Sequence, residues 1–288
     1  MLRAALQSRE RTVMNCAAAL RAELAFRAQR FAVERYIPHS ISSGTPPVVC
    51  FPAYGEDVHG NFHPASFKSL QARPEWRGRL QKVHTSARQI LPRVAGMRWK
   101  ELDSCMSSDA LLMNIFCHPG IRRRVQLSKI LAIEWHSLPQ YGFRARVPLL
   151  NGRFDRTEVD MKLHDVMIEA KLTESNFQRA KKSCLDDYRD FRDVFDRQQL
   201  RQDETHYYSY QLIRNVLAAH ASQCSFCVLL DARRPDLIEE CYAAFKCVQP
   251  FELRTRCKLL TWQELSAVLP STLREFLAVK YGICQPHV

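Results

Sequence analysis

The chain has 288 residues, 46% of them apolar, with 15 Phe, 9 Tyr and 4 Trp. That composition supplies a substantial core and excludes intrinsic disorder over most of the length. The formal charge of +12, from 42 Lys plus Arg against 30 Asp plus Glu, suits a polyanionic partner, most often nucleic acid, though it also aids solubility. No apolar run approaches the roughly 18 residues of a membrane span. The Arg-rich N-terminus lacks the apolar centre of a signal peptide, and Glu10, Glu23 and Glu34 argue against a transit peptide. A cytoplasmic protein with no membrane partner is expected, its 11 scattered Cys read as reduced and mostly buried thiols.

In chain order, residues 1–36 read as one or two amphipathic helices, and a Pro/Ser/Gly-rich stretch to Pro64 reads as irregular loop. Residues 76–100 form a basic run whose first cations, Arg77, Arg79 and Lys82, are candidates for phosphate contact; a solvated basic face is the plainer reading. "SSDALLMNIF", residues 107–116, opens with a Ser/Asp cap and continues at helical spacing. "YGFRARVPLL" then reads as a strand and "NGR" as a turn. "TEVDMKLHDVMIEAKLTE", residues 157–174, supplies two further strands. Residues 175–206 read as a charged helix plus a loop. "YYSYQLIRNVLAAHA" is an amphipathic helix, "CSFCVLLDA" a buried strand, "PDLIEECYAAFKCV" a helix, and "CKLLTWQEL" a strand entering the last helix. Helix, three strands, helix, strand, helix, strand, helix describes an α/β sheet covered by helices.

The hairpin carries the chemistry. A tight turn at His164–Asp165 sets Asp160 opposite Glu169 and Glu158 opposite Lys171, with opposed Cβ atoms ~4.5–5.5 Å apart. Glu169 and Lys171, two apart on one strand, share a side. Val159, Met161, Leu163, Ile168, Ala170 and Leu172 make the other side apolar. Two facing carboxylates repel, and a divalent cation between them removes the penalty; oxygen donors of this type suit Mg²⁺ or Mn²⁺. A three-residue loop would instead put Ile168 opposite Asp160, and an exposed hairpin with cross-strand salt bridges shows the same alternation. The sequence leaves these readings open.

These residues, Asp160 followed by Glu169-Ala170-Lys171, resemble the PD-(D/E)xK nuclease superfamily, the restriction-endonuclease-like fold, with Val159 in place of the motif's Pro. "WRGRLQKVH", "SSDALLMNIF", "IEAKLTE" and "YYSYQLIRN" extend the resemblance from about Trp76 to Ile283, toward a bacterial branch of that superfamily. It implies a mixed central β-sheet flanked by helices over residues 76–288, preceded by a helical and loop extension, residues 1–75. It also implies that Asp160 and Glu169 bind metal with the Ala170 carbonyl as a third ligand. Lys171 would orient or activate water, with a pKa that a neighbouring cation can depress. Glu134 is the candidate for an added helix carboxylate, with Asn114 or Asp109 as substitutes. Gln211 resembles a helix glutamine seen in some branches, and Glu174 is a partner for Lys171 or a nearby Arg.

The expected function is a Mg²⁺- or Mn²⁺-dependent deoxyribonuclease, an endonuclease of restriction, defence or mobile-element maintenance. The alternatives are an RNA nuclease and a catalytically silent nucleic-acid-binding or partner-docking module. DNA is the expected partner, RNA the alternative, and a homodimer is compatible with the fold. Cys224 and Cys227 have CxxC spacing but lie on an expected buried strand, where thiols of the core fit better than a zinc site or a cluster with Cys184 and Cys241. His59 and His63 sit in a Gly/Pro-rich loop without the intervening Glu of a zinc helix, and no phosphate-binding Gly-rich loop is present.

Overall fold

The computed structural model describes residues 2–54, 57–84, 90–134 and 136–285, with side chains from Cys16 onward. Part of the basic run of residues 76–100 therefore lies outside the described residues. The chain divides into two compact units: residues 1–132 with 262–288, and Ile133–Thr261. The expected boundary near residue 75 falls inside the first of these.

In the first unit a single long helix, α1 (Leu2–Glu34), opens the chain. Its buried positions Ala17, Leu20, Leu24, Ala28 and Phe31 recur at three- and four-residue steps, the spacing of one helical face. The capped helix expected at residues 107–116 is present as Ser108–Phe116, and the Ser107 hydroxyl accepts from the Ala110 N–H. The last helix (Ser271–Tyr281) contributes Lys280, whose Nζ donates to the Gly60 carbonyl at 2.8 Å among Phe31, Phe51, Phe276 and Tyr281. Burial pushes that ammonium well below the ordinary lysine range.

The second unit is built on a five-stranded mixed sheet. Its strands are β1 (Gln140–Arg144), β4 (Glu158–Leu163), β5 (Val166–Ala170), β6 (Ser225–Leu230) and β7 (Cys257–Thr261), in the spatial order β7-β6-β5-β4-β1. Between β1 and β4 the chain makes a short pair, β2 (Val147–Pro148) with β3 (Phe154–Asp155). The β1/β4 and β4/β5 pairs are antiparallel, whereas β5/β6 and β6/β7 are parallel. The parallel joints need crossovers, supplied by α2 (Tyr210–Ala221) and α3 (Pro235–Phe245). Central strands β5 and β6 are buried at every position; β6 is apolar after Ser225, as a doubly covered strand requires, and β5 is apolar except for Glu169. Phe226, Val228 and Leu230 pack in one core with Leu212, Ile213 and Val216 of α2 and Leu237, Cys241 and Phe245 of α3.

This is the mixed α/β architecture expected from the sequence. The stretch 175–206 is the exception. It forms two short helices, Lys182–Asp186 and Phe191–Val194, and a small antiparallel pair, Arg179–Lys181 with His206–Tyr208. Its Phe177, Leu185, Phe191, Val194 and Phe195 are all core residues. Charges placed between them mask that apolar pattern in the sequence.

Candidate active site

The β4–β5 hairpin has the register that a two-residue turn demands: Leu163 pairs with Val166, Lys162 with Met167 and Met161 with Ile168. His164 takes the left-handed conformation at φ 54°, which His tolerates better than most residues. One step beyond Met161–Ile168, the same register brings Asp160 to Glu169. There the backbone ladder yields to a side chain, for the Ala170 N–H donates to Asp160 Oδ2 at 2.8 Å. The opening has a second consequence. Glu158 lies opposite Arg144 of β1, and the Lys171 N–H turns to the Leu229 carbonyl of β6 at 2.7 Å. The expected Glu158–Lys171 opposition is thus replaced by pairing outward on each side.

Glu169 and Lys171 are almost wholly buried, at 3% and 4% exposure. A charge in that setting must be paired. Lys171 Nζ donates to Glu169 Oε1 at 2.7 Å, and the Asn215 amide donates to Glu169 Oε2 at 2.8 Å. Burial opposes the lysine's charge, but the carboxylates of Glu169, Glu174 and Asp160 outweigh it and raise its pKa above the ordinary value. The depression considered from the sequence is that of a lysine beside a bound cation, whereas this direction is set by the carboxylates alone. Glu174 also accepts from the Leu172 N–H at 2.7 Å, and its own carbonyl is held by Arg234 at 2.6 Å.

Asn215 is the residue that sequence reasoning passed over. It ends the quoted "YYSYQLIRN", one helical turn after Gln211 on α2, and spacing alone cannot tell which of the two touches the hairpin. Gln211 meets the neighbouring segment through its backbone, donating to the Phe177 carbonyl at 3.0 Å. Asn215 is oriented by Arg214, whose guanidinium donates to the Asn215 Oδ1, leaving the amide nitrogen for Glu169. The same guanidinium donates to the Thr157 and Glu158 carbonyls and to Asp155 Oδ2 at 3.0 Å. Tyr188 donates to that carboxylate oxygen at 2.7 Å. Against the cost of burial, hydrogen bonds from Thr157 and Tyr188 and the charge of Arg214 hold the Asp155 pKa below the usual range. The strand that delivers Asp160 and the helix that steadies Glu169 are therefore tied through one arginine.

Most of the remaining candidates are engaged by partners of their own. Glu134 is exposed and bonded to His136 at 2.6 Å. In the first unit, Asn114 is buried and bonds the His63 N–H and the Asn61 and Ala110 carbonyls. Asp109 is engaged by Arg79 at 2.5 Å and Lys82 at 3.4 Å, and Lys82 also pairs with Glu101 at 3.2 Å. Arg79 and Lys82 are thus committed to ion pairs within that unit, while Arg77 stays exposed. Cys224 and Cys227 are buried free thiols; burial raises the pKa of both, that of Cys227 to about 12.

The donor set fits a hard cation. Asp160 and Glu169 offer carboxylate oxygens, each able to accept more than the one hydrogen bond described. Among the described residues no cluster of three or more His, Cys, Asp or Glu forms. Mg²⁺ characteristically binds through one or two carboxylates and keeps waters and substrate oxygens in its other positions.

A family model described as "Restriction Endonuclease associating with ARP" matches residues 27–282, beginning within α1. Comparison with curated proteins and with solved structures gave no match. Among the described residues no helix is long and apolar enough to cross a membrane.

Two outcomes follow from the hydrogen-bond chain. Asn215→Ala should lower unfolding stability by about 1–3 kcal/mol, the cost of stranding a buried acceptor, against about 0.5 kcal/mol or less for Gln211→Ala; denaturant midpoints test the contrast, and equal losses would contradict it. Asp155→Asn should destabilise by about 2 kcal/mol at pH 7. Because the folded pKa lies below the reference 3.8, this contribution is present above that pH and lost as pH falls through the folded value. The gap in thermal unfolding between the two proteins should narrow as pH falls below about 3.8 and close below the folded pKa; a gap unchanged down to pH 2.5 would refute the assignment.

Proposed function

The chain belongs to the family REase-ARP, restriction endonuclease associating with ARP, and on that premise we propose that it is a metal-dependent nuclease hydrolysing phosphodiester bonds of DNA by endonucleolytic cleavage. The observation that carries this reading is the convergence of Asp160, Glu169 and Lys171 where the hairpin ladder opens. Asp160 and Glu169, with the Ala170 carbonyl, would hold Mg²⁺ or Mn²⁺. When bound, such an ion supplies Lewis-acid stabilisation of charge on phosphorus and activates water.

The chain's own groups do the rest. Lys171, bonded to Glu169 at 2.7 Å among the surrounding carboxylates, has donors for a non-bridging phosphate oxygen and for orienting the attacking water. Its place beside Glu169 suits it to orient or activate that water. Asn215 fixes the Glu169 carboxylate while Asp160 is fixed by the Ala170 N–H. Both carboxylates thereby meet a substrate already oriented, which is how a positioned site lowers a barrier. A silent binding module would gain nothing from two carboxylates facing near DNA, since they repel its phosphates.

The test is cleavage of supercoiled plasmid with Mg²⁺ or Mn²⁺ by wild type, Asp160→Ala and Lys171→Ala. Nicked or linear product from wild type, with each variant slower by about 100-fold or more, is expected. Inert wild type, or variants that cut as fast, would contradict the reading. Single-stranded DNA and RNA at the same salt concentration separate the deoxyribonuclease from an RNA nuclease.

A further inference from the structure

One register runs through more of the second unit than the sheet alone. Gln140–Lys162, Tyr141–Met161, Phe143–Val159 and Arg144–Glu158 pair in β1/β4, and Val147–Asp155 and Pro148–Phe154 continue the same register through β2/β3. The chain from Gln140 to Lys162 is therefore one two-stranded ribbon whose tip is the turn of residues 149–153, where Gly152 takes φ 77°. Ala145, Val147 and Val159 are buried in the core, while Arg144, Arg146, Arg153 and Arg156 are exposed. By this register Arg146 stands opposite Arg156.

Like charges opposed across a strand pair are destabilising, and the ribbon offers little to offset them. Of its acids, Asp155 is taken up by Arg214 and Tyr188, and Glu158 lies 3.9 Å from Arg144. Among the described residues Arg146, Arg153 and Arg156 have no carboxylate partner. Arg146 is instead laid over the Phe154 ring at 4.2 Å, which orders its guanidinium without neutralising it. Arginine in a row, planar and permanently charged, suits phosphate oxygens. The ribbon also leads straight into Asp160. Arg156 precedes it by four strand residues, ~13 Å, roughly the rise of four base pairs.

We infer that the ribbon of residues 144–156 grips the sugar–phosphate backbone of the duplex that is cut, with Arg146, Arg153 and Arg156 as phosphate contacts. This rests on the nuclease reading above and adds to it the surface that holds the substrate. It also moves the phosphate-binding role away from Arg79 and Lys82, which are spent on Asp109 and Glu101.

The experiment is the salt dependence of binding to a 30-base-pair duplex, with EDTA present to prevent cutting. Wild type is compared with the triple variant Arg146→Ala/Arg153→Ala/Arg156→Ala. A second triple, Arg122→Ala/Arg123→Ala/Arg124→Ala, removes the same charge from exposed positions in the other unit. Each lost phosphate contact lowers the slope of log K against log salt by about 0.9, so the ribbon triple should lose about 2–3 in slope and the second triple under 1. Thermal unfolding of both triples should match wild type, since all six side chains are exposed. No change in the ribbon triple, or equal changes in both, would overturn the inference while leaving plasmid cleavage, and with it the nuclease reading, intact. Wild type that neither binds nor cuts DNA would overturn both.

Discussion

The site depends on one constraint: Glu169 and Lys171 are charged and almost fully buried. An isolated buried charge costs several kcal/mol even after relaxation, so each must satisfy the other and both need further donors or charges. That requirement accounts for Asn215 on Glu169 and for Glu174 and Asp160 around Lys171. It also accounts for Arg214, which must be in place before Asn215 can present nitrogen rather than oxygen. Interactions of this kind are weak evidence for stability, because apolar replacements of similar volume are often neutral or better.

The same constraint explains where the hairpin stops being a hairpin. A continued ladder would press Asp160 and Glu169 into direct opposition. Instead, the Asp160 carboxylate takes over the Ala170 N–H that a strand carbonyl would otherwise hold. Gly142, at φ 63°, stands opposite Asp160 on β1 by the ribbon's register. A glycine there permits a backbone conformation that side-chain-bearing residues resist. The break in regular pairing and the acidic residue thus coincide, as β-structure irregularities beside functional sites commonly do.

Much of this was legible in the sequence. The order of the sheet's strands, the turn at His164–Asp165 and the capped helix after Ser107 follow from local periodicity and turn chemistry, and the register of the β4–β5 pair is one of the two that the turn allows. What was not legible is long-range. That Glu158 and Lys171 do not meet across the hairpin depends on where the ladder opens. That Asn215 rather than Gln211 touches the site depends on how α2 is rotated against the sheet. Arg79 and Lys82 look available in a basic run until Asp109, about thirty residues on, is brought to them. The short elements of residues 175–206 are held by scattered Phe and Leu contacts, with no period for sequence reading to detect.

The most direct measurement of the central claim is anomalous diffraction from crystals of the protein grown or soaked with Mn²⁺. The account predicts a peak between the Asp160 and Glu169 carboxylates, within ligand distance of the Ala170 carbonyl, and its loss in Asp160→Ala. A peak at another group of residues, or none there at saturating Mn²⁺ in crystals with the two carboxylates ordered, would contradict it.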